Sequence, residues 1–198
     1  VGLGSDGQVR VWGQTVPSLL SVPGLPPNAV YTNIAAGGLF VLALRSDGAL
    51  VAWGENQSEQ LNVPLLPPGL SWVSASAGSD HSVALRSDGQ VISWGDHFSM
   101  QHEMPPLPAN RAHRSLSFGA FHGFTLLDDA SLYSFGIPAW GTLSPPPLAP
   151  PLYFTQIASG YSFSTGVVSD GSLRAWGSNS SNQNIPPGLP ASGARYVR

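Results

Sequence analysis

Five histidines and a recurring set of aspartates are the residues whose types and spacing could do chemistry in this chain. His81 and His122 stand 41 residues apart, and the same position one step to either side holds Phe40 and Phe163. Imidazoles on neighbouring elements would suit a metal site or a proton relay. His97, His102 and Glu103, all within "GDHFSMQHEM", offer a second ligand set. Asp47, Asp88 and Asp170, each inside Ser-Asp-Gly, would be the acid–base candidates. A structural reading competes with each. Phenylalanine in place of histidine argues for packing, and the five-residue step from His97 to His102 has no helical support. Aspartate in a Ser-Asp-Gly hairpin caps its own backbone. With no cysteine nucleophile, no paired carboxylates away from turn positions and no glycine-rich phosphate loop, the sequence predicts no catalytic residue, no metal and no cofactor.

The elements that must position these residues repeat. Aromatic-Gly pairs fall at Trp12-Gly13, Trp53-Gly54, Trp94-Gly95, Phe135-Gly136 and Trp176-Gly177, each step being 41 residues. On the same clock come Ser5-Asp6-Gly7, Ser46-Asp47-Gly48, Ser87-Asp88-Gly89, Asp128-Asp129-Ala130 and Ser169-Asp170-Gly171. Gly37, Gly78, Gly119 and Gly160 keep step, as do Pro23, Pro64, Pro105, Pro146 and Pro187. Within a unit, "FVLALR" meets Ser-Asp-Gly and "ALVAWG" returns, which predicts a hairpin whose glycine (Gly48, Gly89, Gly171) takes positive φ. "LSWVSASAG" supplies a third strand, and the proline-rich "NVPLLPPG" an extended connector that cannot donate ladder bonds. Units of about 40 residues with three or four strands cannot bury their faces alone, and stacked radially they make a propeller. The fold class read from the sequence is thus an all-β propeller over 1–198, about 4.8 blades at 41 residues each. Trp12, Trp53, Trp94, Phe135 and Trp176 are expected in blade packing.

Composition narrows the function. The chain has 198 residues, 42% of them hydrophobic and only 10% charged, with a net charge of −3 and no lysine. That excludes a broad basic surface for phosphate backbones, so no nucleic-acid partner is expected. Cysteine is absent, and no apolar run approaches the roughly 18 residues of a membrane span. The opening "VGLGSDGQVR" lacks the pattern of a secretory signal and starts inside the hairpin phrase, which suggests a processed product or part of a longer chain.

The phrase I-A-A-G-x-x-[FH]-x-x-A-L-R-S-D-G-x-[LV]-x-x-W-G-x-N resembles the regulator of chromosome condensation repeat family. The resemblance implies a ring that usually has seven blades, which would leave two exposed sheet edges here for missing blades or a partner to cover. That family continues Trp-Gly into a "GxNxxGQ" loop; here Gln60, Gln101 and Gln183 keep the glutamine, but Glu59, Met100 and Asn182 replace its glycine, so a rebuilt loop is expected. Three family activities are implied in turn. Nucleotide exchange on a small nuclear GTPase relies on an acidic and histidine face and a basic extension, which this chain lacks. Ultraviolet-B photoreceptors carry "GWRHT", where this chain reads "GGLFV", "GSDHS", "GAFHG" and "GYSFS". Propeller-type β-lactamase inhibitory proteins grip a partner with an aromatic at the position of Leu39, Asp80, Phe121 and Ser162, of which only Phe121 is aromatic.

Partner contacts are therefore expected at Leu39, Asp80 and Phe121, at Phe98, and at Trp140, an aromatic in "IPAWGTLSPPPLAPP" that has no counterpart in the other repeats. Asn56-Gln57-Ser58 and Asn179-Ser180-Ser181 fit the acceptor pattern for an N-linked glycan. The functional expectation is a non-catalytic protein–protein interaction or structural module, part of a larger secreted or cell-surface protein. The alternatives are a secreted inhibitor or regulator of an enzyme and an intracellular, exchange-factor-like regulator in the cytoplasm. The fourth repeat also raises a local question, because Ala130 stands where the turn needs positive φ: either the turn changes type or it is strained.

Overall fold

Every Ser-Asp-Gly triplet in the described chain folds back as a tight hairpin, and each of its side chains has a local task. In the second repeat Asp47 accepts the Ala49 N–H at 3.1 Å, and Ser46 Oγ accepts the Val30 N–H at 3.2 Å, tying the hairpin to the start of the first strand. The turn glycines Gly7, Gly48, Gly89 and Gly171 take φ between +72° and +85°. Ala130 takes +67°, so the turn keeps its type and bears the strain, on the order of 1 kcal/mol for a side chain in that region.

A computed structural model describes residues 1–13, 16–96 and 111–186, with the Trp140 side chain outside the described set. The chain forms two compact units, Val1–Phe98 and Ser99–Arg198. The first contains a two-stranded hairpin, β1 (Gly2–Leu3) and β2 (Val9–Arg10), then two three-stranded antiparallel sheets. These are β3 (Tyr31–Ala36), β4 (Phe40–Arg45) and β5 (Leu50–Gly54), and β6 (Trp72–Ala77), β7 (His81–Arg86) and β8 (Val91–Gly95). The second unit repeats the sheet twice, as β9 (His113–Phe118), β10 (His122–Leu127) and β11 (Leu132–Gly136), and β12 (Phe154–Ser159), β13 (Phe163–Val168) and β14 (Leu173–Gly177). The order is that of a propeller blade, with the middle strand paired on both sides.

The alternation of "FVLALR" has two buried faces rather than one. Phe40 and Leu42 of β4 pack with Trp72, Ala84 and Trp94 of the following repeat, whereas Val41 and Ala43 pack with Tyr31, Trp53 and the first repeat. The core therefore lies between sheets, as the repeat pattern predicts. First strands of adjacent sheets approach so closely that a Cβ on Gly37 would lie 2.7 Å from the Gly78 carbonyl. The Trp-Gly glycines answer a different demand: Gly95 has φ +103°, and a Cβ there would meet the Asp80 carbonyl at 2.7 Å. Only glycine fits.

Between sheets runs a strap, the segment from the aromatic-Gly pair to the next first strand. It carries the joint between repeats. The indole N–H of Trp53 donates to the Leu19 carbonyl at 3.0 Å, that of Trp94 to Gln60 at 2.9 Å and that of Trp176 to Thr142 at 2.9 Å. The acceptor is 34 residues earlier every time. Tyr31, Trp72 and Phe154, at the head of each first strand, lean on the same indoles with centroids 5.6–6.3 Å apart. Phe135 has no N–H to donate.

Two of the sequence expectations change here. Two of the three loops predicted to be rebuilt keep a left-handed backbone: Glu59 and Asn182 adopt φ +62° and +60° where the family pattern has glycine, while Met100 and Gln101 lie outside the described residues. Gln60 and Gln183 fold back to accept the N–H of Ser58 and Ser181 at 2.8 and 2.7 Å, which holds that conformation. Trp12, expected in packing, is 67% exposed, unlike Trp53, Trp94 and Trp176.

Two measurements check these points. Ala130→Gly relieves the left-handed strain and is expected to raise stability by about 1 kcal/mol in denaturant unfolding. Trp94→Phe removes the donor from a buried joint and leaves a small void, and is expected to lower stability by about 1–2 kcal/mol.

Candidate functional site

The residues that looked most chemical are occupied by structure. Asp6, Asp47 and Asp88 each hold a guanidinium, from Arg10, Arg45 and Arg86 respectively. Their arginines hold all three carboxyls below the usual carboxylate range, Asp6 at about 2, so these groups are ionised turn anchors rather than proton donors at neutral pH. Asp170 is lowered by the Ser172 hydroxyl, which donates to it at 2.7 Å. Aspartate as a turn residue is what the sequence predicts.

His81 and His122 are both buried at the start of a middle strand. His122 stands edge-on to Phe124, with centroids 6.1 Å apart, and its Nε2 lies 2.8 Å from Ser164 Oγ of the next repeat. Ser164 donates onward to Ser159 at 3.3 Å, and the Ser159 N–H donates to Ser117 Oγ at 2.8 Å. Burial pushes the His122 pKa down to about 4, so the ring is neutral and acts as a packed polar tie between β10 and β13. Among the described residues no group of three or more His, Asp or Glu could hold a metal. The cluster His97, His102 and Glu103 lies outside the described residues, as does Phe98.

What remains accessible is the turn between first and second strands. Its backbone is committed, since the carbonyls of Leu39, Asp80, Phe121 and Ser162 accept the N–H of the residue after each aromatic-Gly pair, at 2.8–2.9 Å. Its side chains are not. Leu39 is 49% exposed and Asp80 is exposed. In the second unit Phe121 meets Tyr161 of the next turn edge-on, centroids 5.3 Å apart, with Tyr161 64% exposed. Exposed Ile137 adjoins them, its N–H on the Phe121 carbonyl. Phe121 and Tyr161 thus form an aromatic patch at one end of two adjacent sheets. Tyr161 went unnoticed in the sequence because only its neighbour Ser162 matches the repeat position, although "GYSFS" carries the aromatic in plain view.

Trp140 lies in a 3-10 turn, Ala139–Gly141, that belongs to the fourth strap. That turn ends on Thr142, whose hydroxyl donates to the Ile137 carbonyl at 3.0 Å and whose own carbonyl receives the Trp176 indole. The off-pattern loop is a strap with new residues and the old joint. The two sequon asparagines share one repeat position and cap the strap: Asn56 Oδ1 accepts the Leu61 N–H at 2.8 Å, and Asn179 Oδ1 the Asn184 N–H at 3.2 Å.

The family described as regulator of chromosome condensation (RCC1) repeat matches residues 31–60, 72–99 and 154–183. The chain carries RCC1 repeats. Among curated proteins no sequence matches it significantly. Solved structures agree on the fold. Saccharomyces cerevisiae Prp20p, described with its binding to Gsp1p and histones, superposes with TM-score 0.67 at 24% identity over 79% of this chain and 47% of its own. The Arabidopsis thaliana receptor kinase ACR4 ectodomain gives 0.62 at 23% identity, over 84% and 60%. Human WBSCR16 gives 0.66 at 20%, over 79% and 50%. The RCC1-repeat chain spans about half the length of the first of these propellers.

The buried imidazole has a pH consequence. His122 binds a proton near pH 6.5 when unfolded and only near pH 4 when folded, so the unfolded state takes up more protons in between. Stability from this group is full above about pH 6.5 and is lost as pH falls towards 4. His122→Phe, the residue type at positions 40 and 163, is expected to flatten the stability profile over that window. Unfolding midpoints of both proteins at pH 7, 5.5 and 4.5 check it.

Proposed function

We propose that this RCC1-repeat chain is a non-catalytic protein-interaction module that presents the Phe121–Tyr161 patch to a protein partner. The observation that carries the reading is the division of labour in the repeat. Positions that recur in every repeat are consumed by turns and joints, whereas the turn position before the middle strand varies from exposed Leu39 and Asp80 to partly exposed Phe121. Two aromatics meeting edge-on with one largely exposed make a preformed anchor of the kind that dominates interface energetics.

The setting we propose is a larger secreted or cell-surface protein. The receptor-kinase ectodomain among the structural neighbours and the sequon at exposed Asn179 support it. A regulator resembling Prp20p, described with Gsp1p and histones, is the second reading; the absence of lysine and the net charge of −3 weigh against a DNA-associated surface. An enzyme inhibitor that uses the same patch would be one special case of the first reading.

A photo-crosslinking residue at Tyr161, compared with one at Ser87 in a hairpin turn at the opposite end of a sheet, tests the assignment in extracts of the native source. One protein captured at Tyr161 and not at Ser87, with affinity reduced at least tenfold by Phe121→Ala plus Tyr161→Ala at unchanged melting temperature, is the expected result. Equal capture at both positions, or no loss in the double variant, overturns it. Peptide mapping for sugar at Asn179 tests the setting separately.

A further inference from the structure

Phe121 and Tyr161 sit on two different turns, and the side chains just behind them tie those turns together. Tyr161 belongs to the turn between β12 and β13, closed by the Gly160 N–H on the Phe163 carbonyl at 2.8 Å. Phe121 belongs to the turn between β9 and β10, where the Gly119 N–H meets the His122 carbonyl at 2.8 Å. The tie begins at buried His122, whose Nε2 lies 2.8 Å from Ser164 Oγ. It returns through Ser159, whose hydroxyl donates to the Ser117 carbonyl at 3.3 Å and whose N–H donates to Ser117 Oγ at 2.8 Å. Both strand ends that flank the Tyr161 turn are thus bonded to the two that flank the Phe121 turn.

The protons along this tie can be counted. Ser159 uses its hydroxyl proton on the Ser117 carbonyl, and Ser164 uses its own on Ser159 Oγ at 3.3 Å. Ser164 Oγ therefore accepts from the ring, so the neutral imidazole carries its proton on Nε2. Nδ1 is left as a bare acceptor, buried and without a hydrogen-bond partner among the described residues. A proton added there has nothing to receive its bond, and a buried cation without a partner is more costly than a buried neutral group. No carboxylate offsets it. β12, β13 and the rest of β10 carry no titratable or charged side chain. Those of β9 and β11, His113, Arg114 and Tyr133, stand beside Thr125 to Leu127, towards the hairpin end of the sheet. Arg174 of β14 is turned to Ser172 and the Leu173 carbonyl. On the turns Tyr161 meets Phe121 and is 64% exposed. Burial alone lowers the His122 pKa, in keeping with a ring that has no charged neighbour.

We propose that His122 latches the Phe121–Tyr161 patch and that acid opens the latch: a proton on Nδ1 undocks the Tyr161 turn from the Phe121 turn, which admits water to the imidazolium and parts the two aromatics. Undocking breaks the bonds between the turns and leaves the ladders within each sheet intact. The aromatic surface is then assembled at neutral pH and dismantled in acid. An imidazole that titrates near 6.5 when undocked and near 4 when docked binds more protons in the undocked state, and shifts the equilibrium towards it about twentyfold between pH 7 and pH 5. Release of a bound partner by acid rests on the function proposed above, whereas the undocking does not.

Amide hydrogen exchange followed by NMR at pH 7 and pH 5 reads the latch through two N–H groups. That of Ser159 crosses between the turns to Ser117 Oγ, and that of Leu127 bonds within one repeat to the Ser131 carbonyl at 2.9 Å. After correction for intrinsic rates, Ser159 is expected to lose about twentyfold in protection at pH 5 and Leu127 much less, with the Tyr161 ring resonances moving over the same range. His122→Gln can still donate to Ser164 and does not titrate, and His122→Phe places the residue type of positions 40 and 163 there. Both should remove the difference between the two pH values. Ser159 protection that ignores pH, equal losses at Ser159 and Leu127, or an acid response that persists in both variants overturns the latch. Crosslinking from Tyr161 at the two pH values separates the readings. Capture that is absent at pH 7 counts against the proposed function while exchange still decides the latch, and capture undiminished at pH 5 overturns release of the partner.

Discussion

One hydrogen bond organises the tryptophan-bearing repeats: the indole N–H of Trp53, Trp94 and Trp176 at the end of the third strand, donated to a backbone carbonyl in the preceding strap. A single such bond contributes about 1 kcal/mol net, too little to hold sheets together by itself. Its importance is positional. To reach Gln60, the Trp94 ring must lie under the strap, and there it joins Phe40, Leu42 and Trp72 in the core between two sheets. The glycine after the tryptophan turns the chain against the Asp80 carbonyl and so aims the ring. Burial of aromatic and aliphatic area supplies the energy, and the bond sets the register in which that area is buried.

Much of this was legible in the sequence, because the residues with fixed side-chain or φ requirements repeat at fixed intervals. Ser-Asp-Gly announced the hairpins, "FVLALR" the middle strand, and the aromatic-Gly pair the third. The joint was not legible, since its acceptor is a main-chain oxygen that any residue supplies: Leu19, Gln60 and Thr142 share no side-chain chemistry. The loop conformation at Glu59 and Asn182 escaped for a related reason. Side-chain bonds from Gln60 and Gln183 stabilise a backbone that residue type alone disfavours. Asn56 and Asn179 fit the sugar-acceptor tripeptide in the sequence, and their capping role shows only when the strap is seen folded. The patch was half legible: Phe121 follows from its repeat position, whereas Tyr161 sits one residue off it and joins only through the geometry of adjacent turns.

The same economy of roles explains why the apparent chemistry dissolves. Histidines and aspartates recur because blade cores and hairpins need them, the imidazole neutral and packed, the carboxylates ionised and held by arginine or serine. Function on such a frame is free to vary only where a side chain points outward from a backbone that is already satisfied. The turn before each middle strand meets both conditions, which is why adjacent repeats can offer leucine, aspartate or an aromatic there without disturbing the sheet.

A main-chain acceptor has a further effect on how such a chain can change over generations. Because the strap contributes a carbonyl and little else of fixed identity, mutations can rewrite it freely while the neighbouring sheet stays seated. The fourth strap has done this, exchanging a polar loop for Ala139–Gly141 and proline-rich sequence without losing the contact to Trp176. The joint is thus insulated from sequence drift, and the segments that pass over it are where an array of this kind can acquire new surface at little structural risk.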